Sequence, residues 1–310
     1  MLEIRPADPQ KDGALLLQLW RGCLNTRWAV TPAWFRRVTV VSTSRPGDLL
    51  LAEQAGHAIG FALTQVGPGA APGGSILALG VLPEYRRRGV GRALHAAALA
   101  QLRERGALTA CLGSGAGQYF WPGVPLDGSA AWNFFQALGW QDQEHSFDLV
   151  RSLDDYHTPA WVWERVAGLD VDFVSAEGAD SAAVLAFMTA EETGWVGAYS
   201  AYLAGGKAAD VLLARRRVDG EIVAACLLED AAQRWAGCFP GPLAAPGCFV
   251  TAERWQGQGI GMALVARSCE LLQARGCKTC FIGWTWLVDW YGKLGFAVWQ
   301  ENVMSCRTLS

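Results

Sequence analysis

Histidine is scarce and one-sided in this 310-residue chain. His57, His95, His145 and His157 are the only four, so none follows residue 157. That excludes an imidazole-containing zinc site from the second half, and it leaves the Cys277-x-x-Cys280 pair with no imidazole partner there. On a strand these two thiols would point to opposite faces, which suits neither a metal nor a redox turn. Basic surplus is missing too: 26 Lys and Arg stand against 29 Asp and Glu. A nucleic-acid-binding protein is therefore not expected. No apolar run is long enough to span a bilayer, and the most apolar helical stretch, around residues 93–102, is flanked by arginines. The N-terminus has no basic segment followed by an apolar one, so no leader is expected. These absences predict a cytoplasmic protein whose nine cysteines stay reduced.

The chain is rich in apolar residues (51%) and in tryptophan (15). That is enough for two buried cores at this length. Acidic residues are uneven, 11 in residues 1–150 and 18 in 151–310, against 13 basic residues in each half. The second half is thus the more acidic.

An internal repeat organises the sequence. "YRRRGVGRAL" at 85–94 returns as "WQGQGIGMAL" at 255–264, an offset of 170. Ten identities persist at that offset, from Gly89/Gly259 and Gly91/Gly261 through Gly106/Gly276 to Gly113/Gly283. A looser match, "NFFQALGW" (133–140) to "DWYGKLGF" (289–296), has an offset of 156, so the first copy carries 14 extra residues in a Gly- and Pro-containing loop. Domains are expected at 1–150 and 169–310. Residues 151–168 form a linker or short helix whose Trp161 and Trp163 pack against something.

In each copy an apolar strand leads into a glycine turn and then an amphipathic helix. The free N–H groups at such a helix start, at the positive end of its dipole, suit a pyrophosphate. The Walker loop is excluded because neither copy has Gly-Lys-Ser/Thr. The dinucleotide fingerprint is excluded because Leu94 and Leu264 stand where its third glycine belongs.

Both copies resemble the signature loop of the GNAT acyl-CoA N-acyltransferases: Arg or Gln, two residues, Gly, one residue, Gly. Here that is Arg86, Gly89, Gly91 and Gln256, Gly259, Gly261. The resemblance covers nearly the whole chain, twice, and its layout is similar to that of the mycothiol synthases. It implies an α/β fold of two tandem GNAT domains, each a mixed sheet whose fourth and fifth strands splay to admit an acyl-pantetheine. It implies acetyl-CoA as cosubstrate and no metal. The carried-over cofactor residues are Phe249, Val250, Thr251, Gln256, Gly257, Gln258, Gly259, Ile260, Gly261 and Met262 in the second copy. In the first they are Val81, Arg86, Arg87, Arg88, Gly89, Val90, Gly91 and Arg92.

In such enzymes a tyrosine, separated by three residues from a Gly-Phe pair, protonates the leaving thiolate. Tyr291, followed by Gly-Lys-Leu and then Gly295-Phe296, matches this, whereas the first copy has Phe135, which cannot donate. The resemblance therefore implies acetyl transfer to the primary amine of a small molecule, mainly in the second copy. Alternatives are an active first copy, with Tyr119 as donor, or a non-catalytic acyl-CoA sensor. A tRNA-dependent aminoacyl transferase is disfavoured by two intact CoA loops and the absent basic surplus. The general base is open among Glu229, Asp230, Asp289 and the Glu191–Glu192 pair. Trp195, Trp284, Trp286 and Trp290 offer aromatic faces that favour an amino sugar, against the plainer reading that they fill a core or seam. A monomer with internal pseudo-symmetry or a homodimer is expected.

Overall fold

The computed structural model describes residues 1–8, 10–24, 26–41, 48–67, 73–114, 119–128, 130–229 and 235–309. The chain divides into two compact units. The first holds Met1–Asp148, Arg234–Cys238 and Trp299–Ser310, and the second holds Leu149–Gln233 and Phe239–Val298. Division at 150 and 169 would have left the last twelve residues with the second copy; they group with the first.

The first unit opens with β1 (Leu2–Ala7), α1 (Gly13–Cys23) and α2 (Pro32–Arg36). An antiparallel run follows, β2 (Leu49–Gln54), β3 (His57–Val66) and β4 (Gly73–Val81), then α3 (Val90–Glu104) and β5 (Thr109–Leu112). β5 runs parallel to β4, as expected for a strand–helix–strand crossover. β6 (Val124–Pro125) and α4 (Ala131–Gln136) come next. The sheet order is β1-β2-β3-β4-β5-β14, where β14 is the segment Cys306–Thr308 near the chain's end. Val90, Leu94, Ala98, Leu99 and Leu102, on one face of α3, are buried in the core that includes Leu50, Ala52, Ile59 and Ala62 of the sheet.

β7 (Glu144–Ser152) leads into the second unit, where α5 (Ala160–Val166) occupies the stretch expected as linker. β8 (Val171–Ser175), α6 (Ser181–Glu191) and α7 (Val196–Ala204) precede β9 (Val211–Arg216), β10 (Ile222–Glu229) and β11 (Leu243–Thr251). Then come α8 (Ile260–Ala274), β12 (Thr279–Thr285), α9 (Val288–Gly292) and β13 (Ala297–Met304). Strands β12-β11-β10-β9-β8 are neighbours in that order. β10, "IVAACLLE", is buried along almost its whole length, which explains why it reads as an unbroken apolar run rather than an alternating one. Both units are thus mixed α/β sheets.

The cysteines are not all thiols. Cys111 and Cys306 stand opposite each other on antiparallel β5 and β14, Cα atoms 4.0 Å apart, and are joined in a disulfide. Direct cross-strand placement, invisible in the sequence because the two lie 195 residues apart, is what makes the bond. No described helix is long and apolar enough to cross a membrane.

Candidate functional site

The repeat is reproduced in the backbone. Arg87 and Gly257, Gly89 and Gly259, Gly106 and Gly276, and Ser114 and Trp284, each pair 170 apart, all have positive φ. In the second unit Gly259 caps α8 with φ 99°, a conformation that an L side chain adopts only under strain. The helix closes its first bond from Ala263 N–H to the Gly259 carbonyl at 3.0 Å, so the amides of Ile260, Gly261 and Met262 are left for an outside acceptor. The loop is fastened from behind. Gln256 Nε2 donates to the Thr251 carbonyl at 3.0 Å, and its counterpart Arg86 donates from Nε to the Val81 carbonyl at 3.0 Å. Arg86 also reaches the Cys23 carbonyl at 2.7 Å. The leading Arg or Gln of each loop therefore ties the turn to the end of its strand.

β11 and β12 part company early. Their parallel pairing covers only Leu243↔Thr279 and Ala244↔Cys280. Beyond it the register between β10 and β11 slips by one residue at Cys248, which has φ 52°. This bulge bends β11 outward. β4 also slips by one residue, between its pairings to Leu63 and Thr64, close to but not at the matching position.

The parting leaves a cleft of about 660 Å³ in the second unit. Its walls include Gly247, Cys248, Phe249 and Thr251 from β11 and Ile282, Gly283, Trp284 and Thr285 from β12. The turn supplies Gln256, Gly257, Gly259, Ile260, Gly261 and Met262 at the same cleft, and α9 supplies Trp290 and Tyr291. Most of the second-copy residues expected at the cofactor thus meet in one place. Val250 does not, being buried in the core, and Gln258 turns away to donate to the Arg254 carbonyl. Trp195 and Trp286 line the cleft while remaining 38% and 55% exposed, so these rings are not core filling.

Tyr291 is buried beside Phe249, Trp290 and Phe296. Burial holds its phenol above the ordinary value, so it carries its proton at neutral pH. A second buried tyrosine, Tyr199 on α7, spends its hydroxyl on the Cys248 carbonyl at 2.8 Å.

None of the described residues lining the cleft carries a carboxylate or an imidazole. The acids weighed as a general base are elsewhere: Glu191 accepts from Glu253 N–H at 3.2 Å and Glu192 from Gly194 N–H at 3.1 Å. Glu229 and Asp289 are not on the cleft wall, and Asp230 lies outside the described residues. Sequence reasoning missed Trp161 and Arg165, both on α5 and both on the wall. No group of three His, Cys, Asp or Glu among the described residues could hold a metal ion.

The first unit differs at the matching place. Phe135 is buried where Tyr291 stands, and Phe134 packs over Gly91 as Trp290 does over Gly261. Gly80, near the outer end of β4, is covered by Phe61. Trp20 stacks on Phe61 at 6.2 Å and on Trp121, just past β5, at 5.3 Å. Buried rings therefore bridge the open ends of β4 and β5. The remaining first-copy residues divide: Val81 and Val90 are core, while Arg87, Arg88 and Arg92 are exposed near the turn.

Residues 15–140 and 182–296 both match the acetyltransferase (GNAT) family. The chain belongs to that family. It is a tandem GNAT protein, in a family that uses acetyl-CoA. The fold is similar to a fungal structure described as a GCN5-related glucosamine N-acetyltransferase region in a multi-domain GH3 β-N-acetylglucosaminidase. That likeness has TM-score 0.89 and 25% identity, over 99% of this chain and 38% of that one. A GCN5-related N-acetyltransferase from Sphaerobacter thermophilus matches in fold, with TM-score 0.73 and 15% identity over 99% of this chain and 96% of that one. A mycothiol acetyltransferase of Cellulomonas flavigena is 44% identical over 79 residues, 23% of either chain. The tandem GNAT chain thus spans less than two fifths of the fungal structure and less than a quarter of the mycothiol enzyme.

Proposed function

We propose that the second unit transfers the acetyl group of acetyl-CoA to the primary amine of a small molecule, and that the acceptor is an amino sugar. The carrying observation is one cleft with the glycine turn at its CoA end, parted strands along its length, and the buried, protonated Tyr291 on its wall. The amine attacks the thioester carbonyl, the C–N bond forms, and the C–S bond breaks. Tyr291 gives its proton to the departing thiolate and is reprotonated by the proton the nitrogen loses, relayed through solvent. Gln256, Gly257, Gly259, Ile260, Gly261 and Met262 of the turn, with Phe249 and Thr251, hold the cofactor, and Val250 and Gln258 support it from outside the cleft. The first unit's turn, with Arg86–Arg92, takes a second CoA without turnover, because Phe135 has no proton to give and stacked rings cross its strand gap.

Two features support an amino sugar. Trp195, Trp284, Trp286 and Trp290 set aromatic faces on the wall, and such faces pack on sugar rings. A wall without carboxylate or imidazole suits an amine that is partly neutral unaided, and a sugar amine, flanked by hydroxyl-bearing carbons, is less basic than an alkylamine. The resemblance to a glucosamine N-acetyltransferase region agrees. The test is thiol release from acetyl-CoA with glucosamine, galactosamine, polyamines, aminoglycosides and peptides offered in parallel. Glucosamine or a close analogue should lead. Preference for a polyamine or peptide overturns the acceptor assignment, and no release with any amine overturns the activity.

A further inference from the structure

α5 belongs to neither stretch that matches the family, yet it reaches the cofactor turn. Val162 and Val166 anchor one face of the helix in the core. Trp161 and Arg165, four residues apart, share another face and both line the cleft. Arg165 donates from Nη2 to the Gly257 carbonyl at 2.8 Å, and its stem lies over Gly259, where an added Cβ would come within 2.8 Å of Cδ. That single bond leaves most of the guanidinium's N–H groups unused, and the described residues supply it no carboxylate. A cation without a counter-charge is thus held against a turn whose amides already favour an anion. Trp161, one helical turn back along the same face, stays 39% exposed beside it.

We propose that Arg165 binds the phosphates of CoA and that Trp161 packs on its adenine, making α5 part of the second unit's cofactor site. This rests on the reading that the second turn takes CoA. An Arg in this position presents a planar fork that matches phosphate oxygens, which the neutral turn of the second copy, Gln256-Gly-Gln258, does not. The first copy carries its charge within the loop, in Arg86, Arg87 and Arg88, and the second copy draws its own from α5.

Calorimetric titration with CoA in a Gly89→Glu background reads the second turn alone. Arg165→Met keeps the stem over Gly259 and removes the charge. It should weaken CoA binding by about 10- to 100-fold, as expected for a lost charge-assisted bond, and should flatten the dependence of affinity on salt. Arg165→Lys should restore much of both. Trp161→Ala should weaken CoA by about tenfold, within the range of base–aromatic stacking, while leaving 4′-phosphopantetheine, which has no adenine, unchanged. Trp161→Phe should behave as the parent does. Unchanged CoA affinity in Arg165→Met overturns the assignment, and so does a loss of affinity with the salt dependence intact, which would mark a purely structural arginine. Equal losses for CoA and phosphopantetheine in Trp161→Ala overturn the adenine contact. No CoA binding by the parent protein overturns this assignment together with the reading beneath it.

Discussion

The Tyr199 hydroxyl donates to the Cys248 carbonyl at 2.8 Å, from a ring with no exposed surface. Cys248 is the positive-φ residue of the bulge that parts β11 from β12, so this bond holds the strained point of the cleft. Tyr199→Phe keeps the ring and removes the bond. It should lower stability by roughly 1 kcal/mol and reduce kcat more than that loss would suggest, because the bulge loosens. Urea unfolding together with steady-state kinetics decides it: full activity with lowered stability would show that the bulge holds without the bond.

Tyr291→Phe should lower kcat by about 10²-fold or more, the range of general acid catalysis, with little change in KM for acetyl-CoA. Because burial raises the phenol's pKa, the alkaline decline of kcat should begin above the ordinary tyrosine range. That decline should flatten or shift in the variant. Phe135→Tyr should not create comparable activity in the first unit. A near-normal kcat for Tyr291→Phe would make the tyrosine a packing residue.

Titration of the parent protein should show two CoA sites per chain, one lost in Gly89→Glu and the other in Gly259→Glu, with activity following only the second. Milder substitutions should also differ. A Cβ at Gly89 meets nothing within 4 Å, whereas one at Gly259 runs into Arg165, so Gly259→Ala should disturb binding more than Gly89→Ala does.

His145 sits between Glu301, 2.5 Å from Nδ1, and Asp142, 3.0 Å from Nε2. Hydrogen bonds to these two carboxylates raise its pKa above 6.5. A raised folded pKa means the clamp contributes fully below 6.5 and is lost as pH climbs through the higher folded value. His95 has the opposite sign. Burial lowers its pKa to about 4, and the neutral ring accepts from Trp140 Nε1 at 2.9 Å. The unfolded chain protonates there first, so that contribution fades as pH falls from 6.5 toward 4. Melting temperatures of His145→Gln should therefore fall furthest behind the parent in mild acid and converge with it above neutrality. A constant gap across pH would refute the clamp.

Reduction of Cys111–Cys306, or Cys306→Ser, should cost about 2–4 kcal/mol, typical of a bond closing a long loop. Guanidinium unfolding with and without reductant measures it, and coincident curves would show that strand pairing alone holds β14.

The legible parts of the sequence were the local ones. The 170-residue offset located both glycine turns, because a positive-φ cap followed by an amphipathic helix is written in contiguous residues. What could not be read was placed by packing across long separations. Arg165 reaches Gly257 from 92 residues away, and nothing near it in sequence marks it as a ligand. The cleft's lack of carboxylates was equally hidden, since Glu191, Glu192 and Asp289 sit close to cleft residues in sequence while standing off the wall. Cys306 carried no sign of pairing with Cys111, because the run that bears it is only three residues long.

The course of the last strand has a consequence for synthesis. β5 receives its outer neighbour from Cys306–Thr308, so the first sheet cannot finish its hydrogen bonding until residue 308 has been made, nearly 200 residues after β5 itself. The early-made half must wait on the late-made tail with one strand edge bare, a state that invites association with other nascent chains. Truncation near residue 300 would therefore injure the half of the molecule made first, not the half that was cut.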